Sequence, residues 1–356
     1  MAGCTVVFAL LHKRPQIYRM MSKMYAMVLD QKKSPAVYRQ IEKPSPQADQ
    51  VLIKVEAAAL NHRDLYITQG LYPGVREGII LGSDASGEVV ELGPQADKKW
   101  LGQKVIVNPN QNWGEEQAVQ AKNYSILGMP QHGSFAEYLL VPQDRLFLRP
   151  AHLSAEEAAA LPLAGLTAYR ALFSRGRLQA GERLFISGIG GGVALTALQL
   201  AQPLGIDIWV SSGQAEKIEK AKEMGALNGI SYKQEQWHKA LLAQDPAGFD
   251  LIIDSAGGPD FSHFVDLARP AARIVFYGGT RGKFQINPQK MFWKQLDIMG
   301  STMGSDEDFA QMIAWVEEHK IKPLVEQVWP LAQAQKAFDC MDKGQQFGKL
   351  VLKMTD

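Results

Sequence analysis

An α/β fold in two parts, an antiparallel β domain followed by a doubly wound parallel sheet, is predicted by three features of this 356-residue chain. Residues 24–150 are dominated by short strand-like runs, at 51–58, 85–91, 104–108 and 135–141, separated by turn residues. Residues 151–304 instead alternate helix-period and strand-like stretches, the pattern of strands linked by crossover helices. Between a strand-like run at 183–187 and a helix beginning near Gly192 stand four glycines, Gly188, Gly190, Gly191 and Gly192. The chain is also longer than a single hydrophobic core usually serves, so two domains are expected.

Met20, Met21 and Met24 lie just ahead of the first strand-like run, at 26–29. Residues 1–23 therefore read as an extension from an upstream start, with a basic organelle-targeting leader as the other reading. The Gln-rich stretch 111–120 reads as a solvated loop. Ser154 can cap a helix whose first turn carries Glu156 and Glu157, and it marks the change of pattern between the domains. Beyond the glycines, Ala197, Leu198, Leu200, Ala201 and Leu204 fall at helical spacing, and Ile206, Ile208 and Val210 alternate as the next strand. Two further apolar runs, 250–254 and 273–277, are each followed by glycines, as strand ends of a parallel sheet require. Residues 295–302 read as an outer strand whose open edge would pair with a second copy, so a homodimer is expected, to be checked by light scattering. Residues 305–356 offer one helix-like stretch, Pro323 and a strand at 349–353; too short for a core of their own, they should return to the first domain.

The glycine turn reads as a cradle for a dinucleotide pyrophosphate. Glycine lets the backbone approach phosphate closely, and the helix beginning at Gly192 and Val193 presents unpaired N–H groups and its positive dipole end. About 20 residues past such a turn, NAD-preferring folds place an acidic side chain on the ribose hydroxyls. This strand instead ends Val210-Ser211-Ser212-Gly213-Gln214 and is followed by Lys217 and Lys220. Hydroxyls and cations suit a 2′-phosphate, so NADP(H) is the expected cofactor.

A net charge of +1 implies no particular partner, no basic run marks nucleic-acid binding, and no apolar stretch is long enough to span a bilayer. With two cysteines, Cys4 and Cys340, a Cys₄ zinc lobe cannot be assembled, and a reducing, cytoplasmic setting is expected. The seven histidines show no metal-binding pair, so no metal is expected either.

Several motifs carry a resemblance: Asn61-His62-Arg63-Asp64-Leu65-Tyr66 with Gln69-Gly70-Leu71-Tyr72-Pro73, Gly82-Ser83-Asp84-Ala85-Ser86-Gly87, Gly133-Ser134-Phe135-Ala136-Glu137-Tyr138, Leu166-Thr167-Ala168-Tyr169, and the glycine turn. From Tyr25 onward the chain resembles the medium-chain dehydrogenase/reductase superfamily, and within it the zinc-free quinone oxidoreductase-like branch. That resemblance implies a GroES-like catalytic domain and a Rossmann domain. Zinc alcohol dehydrogenases of the superfamily take metal ligands from a cysteine before the first active-site helix and from a Gly-His-Glu; here Asn61 stands in the first segment and Ser83-Asp84 replaces the His-Glu pair. Without a metal, a side chain must meet the charge that builds on a carbonyl oxygen. Tyr72 is the expected proton donor, its phenol protonated at neutral pH and similar in context to a tyrosine of zinc-free enoyl thioester reductases. Asn61 would donate its amide to cofactor or substrate, Asp64 would orient neighbours, and Tyr66 would pack. The resemblance further implies that Thr167, Ser255, Ala256, Gly257, Tyr277, Gly278 and Gly279 run along the cofactor, with Tyr232 by the adenine or 2′-phosphate and Lys349 near phosphate. The expected activity is zinc-independent, NADPH-dependent hydride transfer to a small-molecule electrophile, a quinone or an α,β-unsaturated carbonyl. A 2-enoyl thioester reductase and a non-catalytic NADPH-binding structural or regulatory protein are the alternatives.

Overall fold

The computed structural model describes residues 22–354, so nearly all of the supposed N-terminal extension lies outside the described residues. Lys23 belongs to the fold: β1 (Lys23–Leu29) pairs antiparallel with β2 (Val37–Glu42) from Lys23 opposite Glu42 onward. β3 (Gln50–Ala59) runs through Asn61 into α1 (His62–Thr68), and β4 (Ile79–Ile80) returns to β1. β5 (Asp84–Leu92), β6 (Lys104–Val107), a small pair β7 (Asn110–Gln111) and β8 (Ser125–Ile126), β9 (Tyr138–Pro142) and β10 (Leu146–Leu148) follow. The spine is β3, which pairs with β5 on one side and, on the other, with β9 through Gln50–Lys54.

Two segments differ from the sequence reading. Residues 135–137 are not in a strand, because the Phe135 backbone bridges Leu81 and Met27 at 2.8 Å each instead of continuing the β9 ladder. The 111–120 loop is mostly exposed, yet Trp113 within it is fully buried beneath the Arg170 guanidinium, 4.9 Å from its ring centroid. Arg170 also donates to the carbonyls of Gln117 and Ala118 and pairs with Asp308 at 2.6 Å, tying this loop to the second domain.

Ser154 caps α2 (Ala155–Ala159) in a reciprocal box, its hydroxyl accepting from Glu157 N at 3.1 Å while the Glu157 carboxylate accepts from Ser154 N at 2.8 Å. α3 (Pro162–Tyr169) leads into the second domain. There β11 (Arg183–Ile186), α4 (Gly192–Ala201), β12 (Asp207–Ser212), α5 (Ala215–Glu223), β13 (Asn228–Ser231), α6 (Trp237–Gln244), β14 (Phe249–Asp254), α7 (Phe261–Leu267), β15 (Ala268–Phe276), α8 (Pro288–Lys294) and β16 (Asp297–Gly300) alternate. The sheet order is β13-β12-β11-β14-β15-β16, all parallel, with β16 at an edge. Alternation along each strand buries both faces: Leu184, Ile186, Ile208 and Val210 join a core with Leu195, Leu198 and Phe309, while Phe185 and Trp209 join another with Trp237 and Phe264.

After α9 (Asp306–Glu318) the chain goes back to the first sheet through β17 (Val325–Pro330), α10 (Ala334–Asp342) and β18 (Lys349–Lys353). β18 pairs with Ala57–Ala59 of β3, where small side chains admit α2 against Ala159 and Ala160. Lys349 thereby arrives beside the start of α1.

Candidate functional site

A cleft of about 650 Å³ opens between the two domains, along the carboxyl ends of β11, β12 and β14, where the strand order reverses. The glycine turn forms its floor. Gly188 (φ +68°) and Gly190 (φ +119°) hold left-handed conformations that favour glycine, and a Cβ built on Gly191 would meet nothing within 4 Å. The ten-residue α4 thus begins on open space bounded by backbone, which suits a pyrophosphate. Asp254 shapes the adjoining turn: it accepts from the Ser187 hydroxyl and from the N–H groups of Ala256 (3.2 Å) and Gly257 (2.6 Å). Burial outweighs these hydrogen bonds and raises its carboxyl above the ordinary range. Gly188, Gly190, Gly191, Gly192, Val193, Ser255, Ala256, Gly257, Tyr277 and Gly278 all line the cleft, whereas Gly279 does not.

At the far end of the cleft, Ser211 and Ser212 close β12. Lys217, from α5, lines the cleft beside the glycine turn. Its stem crosses Gly190 and its ammonium donates to the carbonyls of Gly344 (3.0 Å) and Gln346 (2.8 Å), fastening the loop before β18, and burial lowers its pKa. The cations that flank the strand end are Lys233 and Arg281. Gly213 abuts the Tyr232 hydroxyl and Lys233 Cε, and the Arg281 guanidinium lies 5.9 Å from the Tyr232 ring centroid while paired with Asp260. Neither cation was singled out from the sequence; Lys233, next to Tyr232 at the end of the third parallel strand, was the available signal.

The other end is built by α1 and β18. Lys349 lines the cleft. Its side chain, 4% exposed, turns inward past Gly192 and its ammonium donates to Leu60 O (2.8 Å), Asn61 Oδ1 (2.7 Å) and Asp84 Oδ2 (3.1 Å). Asn61 Nδ2 donates to the same Asp84 oxygen at 2.9 Å, and Asp84 Oδ1 accepts from Leu163 N at 2.9 Å. An ammonium cannot accept and a carboxylate cannot donate, so the Asn61 amide has one orientation, with its second N–H left over beside the cleft. Asp64 is fully buried and accepts from the Asn61 backbone N–H at 2.9 Å as part of the α1 cap.

Tyr72, the expected proton donor, is not among the residues lining the cleft; its ring lies under the Arg63 guanidinium, 4.9 Å away. Thr167 is likewise behind the wall, its hydroxyl given to Leu163 O at 2.8 Å in its own helix. His62, Arg63 and Tyr66 are in the lining. His62 opens onto the cleft, yet desolvation by its surroundings, and then the nearby Lys349 ammonium, push its imidazole below the ordinary value, favouring the neutral form.

Burial pushes the Asp64 carboxyl up from 3.8 to about 6, against the opposing pull of Arg63. Between those values the folded chain holds a proton that the unfolded chain has released, so this group makes stability fall as pH rises from about 4 to about 6, by at most about 1.4 kcal/mol per pH unit. Asp64→Asn should remove that component of the slope. Urea unfolding of both proteins at about pH 4.5 and about pH 6 checks it, and identical slopes would refute the assignment.

A doubly wound sheet with a glycine cradle, faced across a cleft by a GroES-like β domain, defines a nicotinamide-dependent oxidoreductase. Residues 47–151 match the alcohol dehydrogenase GroES-like domain model and residues 192–318 the zinc-binding dehydrogenase model. A zinc-type alcohol dehydrogenase-like protein of Leptosphaeria maculans is 37% identical, covering 88% of this chain and 93% of its own. A quinone oxidoreductase of Mus musculus is 29% identical over 87% of this chain and 90% of its own. The crystal structure of an NAD-dependent alcohol dehydrogenase superposes with a TM-score of 0.87 at 30% identity, covering 93% of this chain and all of that one. The chain belongs to the medium-chain dehydrogenase/reductase superfamily.

Proposed function

We propose that this protein is a zinc-independent, NADPH-dependent reductase of quinones or α,β-unsaturated carbonyls. The observation that carries the reading is the Lys349 ammonium seated between Asn61 and Asp84, two positions where the zinc enzymes of the superfamily resemble this chain in sequence but supply or adjoin metal ligands. A fixed organic cation joins the two segments, and its three N–H groups take up Leu60 O, Asn61 Oδ1 and Asp84 Oδ2. The arrangement suits hydride delivery to a conjugated acceptor better than metal-assisted removal of an alcohol proton.

The bound cofactor would supply hydride from its reduced nicotinamide. The glycine turn and the α4 N-terminus would hold its pyrophosphate, with Ser255, Ala256, Gly257, Tyr277 and Gly278 along the adjoining wall. Ser211, Ser212, Tyr232, Lys233 and Arg281 would receive the ribose and its 2′-phosphate, and no carboxylate stands at the end of β12 to repel it. Asn61 would offer its remaining N–H to the nicotinamide ribose or the substrate oxygen.

Ser212 is the last residue of β12 and the natural position for a ribose-binding carboxylate. Ser212→Asp should weaken NADPH at least tenfold and improve NADH, because the new charge meets the 2′-phosphate. Direct titration of both cofactors tests this; an unchanged preference would overturn the NADPH assignment.

A further inference from the structure

We propose that Asp260 is a specificity-determining residue: its carboxylate neutralises the Arg281 guanidinium and competes for it with the 2′-phosphate of the cofactor, setting how tightly NADPH is held. The proposal rests on the NADPH reading and adds what limits that affinity. Asp260 and Arg281 both line the cleft, joined at 2.7 Å from Arg281 Nη1 to Asp260 Oδ2. Their side chains are 33% and 49% exposed, so a ligand in the cleft reaches both. Arg281 comes from the loop after β15 and stands 5.9 Å from the ring centroid of Tyr232, whose hydroxyl abuts Gly213 just past the end of β12. That loop is pinned against the turn after β14, Arg281 N donating to Ala256 O at 2.9 Å and Gly258 N to Gly282 O at 3.0 Å. Gly258 permits the close approach, since a Cβ built there would lie 2.6 Å from Arg281 Cβ. A change of partner for Arg281 is therefore a side-chain movement. Asp260 holds the N-cap position of α7, where Asp ordinarily bonds the first turn, yet its carboxylate makes no cap hydrogen bond and is given to Arg281.

Two effects of Asp260 on a bound 2′-phosphate oppose each other. Orienting Arg281 helps binding, but an exposed ion pair changes an equilibrium by about fivefold at most, and the pinned loop already places the cation. Cancelling the charge of Arg281 hinders binding. A phosphate monoester carries a charge of about −1.5 to −2 at neutral pH, and it either displaces the carboxylate from Arg281 or shares the guanidinium with a like charge beside it. Both routes subtract from affinity, so the second effect prevails. NADH presents an uncharged hydroxyl at that position and leaves the pair intact, so Asp260 acts on NADPH alone.

Adenosine 2′,5′-bisphosphate and 5′-AMP, which differ only in the 2′-phosphate, are titrated calorimetrically into the full-length protein as wild type, Asp260→Asn and Arg281→Met, followed by NADPH and NADH. Asp260→Asn should bind the bisphosphate and NADPH at least about fivefold more tightly than wild type, with 5′-AMP and NADH within about twofold, a split that a general change in the fold would not produce. Arg281→Met should bind the bisphosphate at least about tenfold more weakly, with 5′-AMP within about threefold. If wild type prefers the bisphosphate to 5′-AMP but Asp260→Asn binds it equally well or more weakly than wild type, the proposal is overturned and the NADPH reading stands. If wild type binds the bisphosphate no more tightly than 5′-AMP, the NADPH reading fails and the proposal falls with it.

Discussion

Lys349→Met is expected to destabilise the protein by about 3–5 kcal/mol, because it leaves the Asp84 carboxylate buried without its cation. Asp84 is fully inaccessible, so water cannot replace the ammonium. The loss would spread beyond the pair. Lys349 anchors β18 to the start of α1 through Leu60 and Asn61, and Asp84 anchors the start of α3 through Leu163 N. Freed from Lys349, the Asn61 amide would no longer have a single orientation, and turnover should fall with stability. Removing the stranded charge as well, in Lys349→Met with Asp84→Leu, should recover much of the stability and none of the activity. Denaturant unfolding with a parallel rate measurement separates the two effects, and a single variant as stable as wild type would mean the pair is not held as described.

Gly190→Val should weaken NADPH binding at least 100-fold, about 2.7 kcal/mol, while the fold survives. At φ +119° a β-branched residue is strained, and its Cβ would come within 2.7 Å of Lys217 Cδ, in a stem whose ammonium is tied to Gly344 and Gln346. Relief requires either the turn or the β18 loop to shift, and the turn is where the pyrophosphate would rest. Fluorescence titration of NADPH, with circular dichroism to confirm folding, reads this directly; affinity within threefold of wild type would remove the turn from the binding site.

What the sequence made legible was the part governed by local chemistry. Glycines between a strand and a helix specify a turn wherever they occur, and the apolar runs at 250–254 and 273–277, each followed by glycines, read as strand ends of a parallel sheet. Long side chains were another matter. Lys217 was read as a 2′-phosphate partner from its neighbours in sequence, and Lys349 as near phosphate from the resemblance; neither reading foretold that Lys217 reaches carbonyls 127 and 129 residues away or that Lys349 reaches Asp84 across 265. Four rotatable bonds allow either outcome, and only the tertiary packing selects one. Tyr72 was open in the same way: a tyrosine before a proline reads equally as a donor or as a platform, and here its ring lies under the Arg63 guanidinium. Arg63 was overlooked because an arginine near a helix start ordinarily faces solvent; the clue was its place between Asn61 and Asp64 in a segment that had to pack against a buried Ser83-Asp84.

Initial rates of cofactor oxidation by the purified protein, with NADPH and NADH each run against small quinones, enones and an enoyl thioester, bear most directly on the proposed activity. NADPH-driven reduction of a quinone or enone, unchanged by a metal chelator, is the predicted result. Inert acceptors together with chelator-sensitive oxidation of alcohols by NAD⁺ would contradict it, and would place the protein with the zinc alcohol dehydrogenases it also resembles.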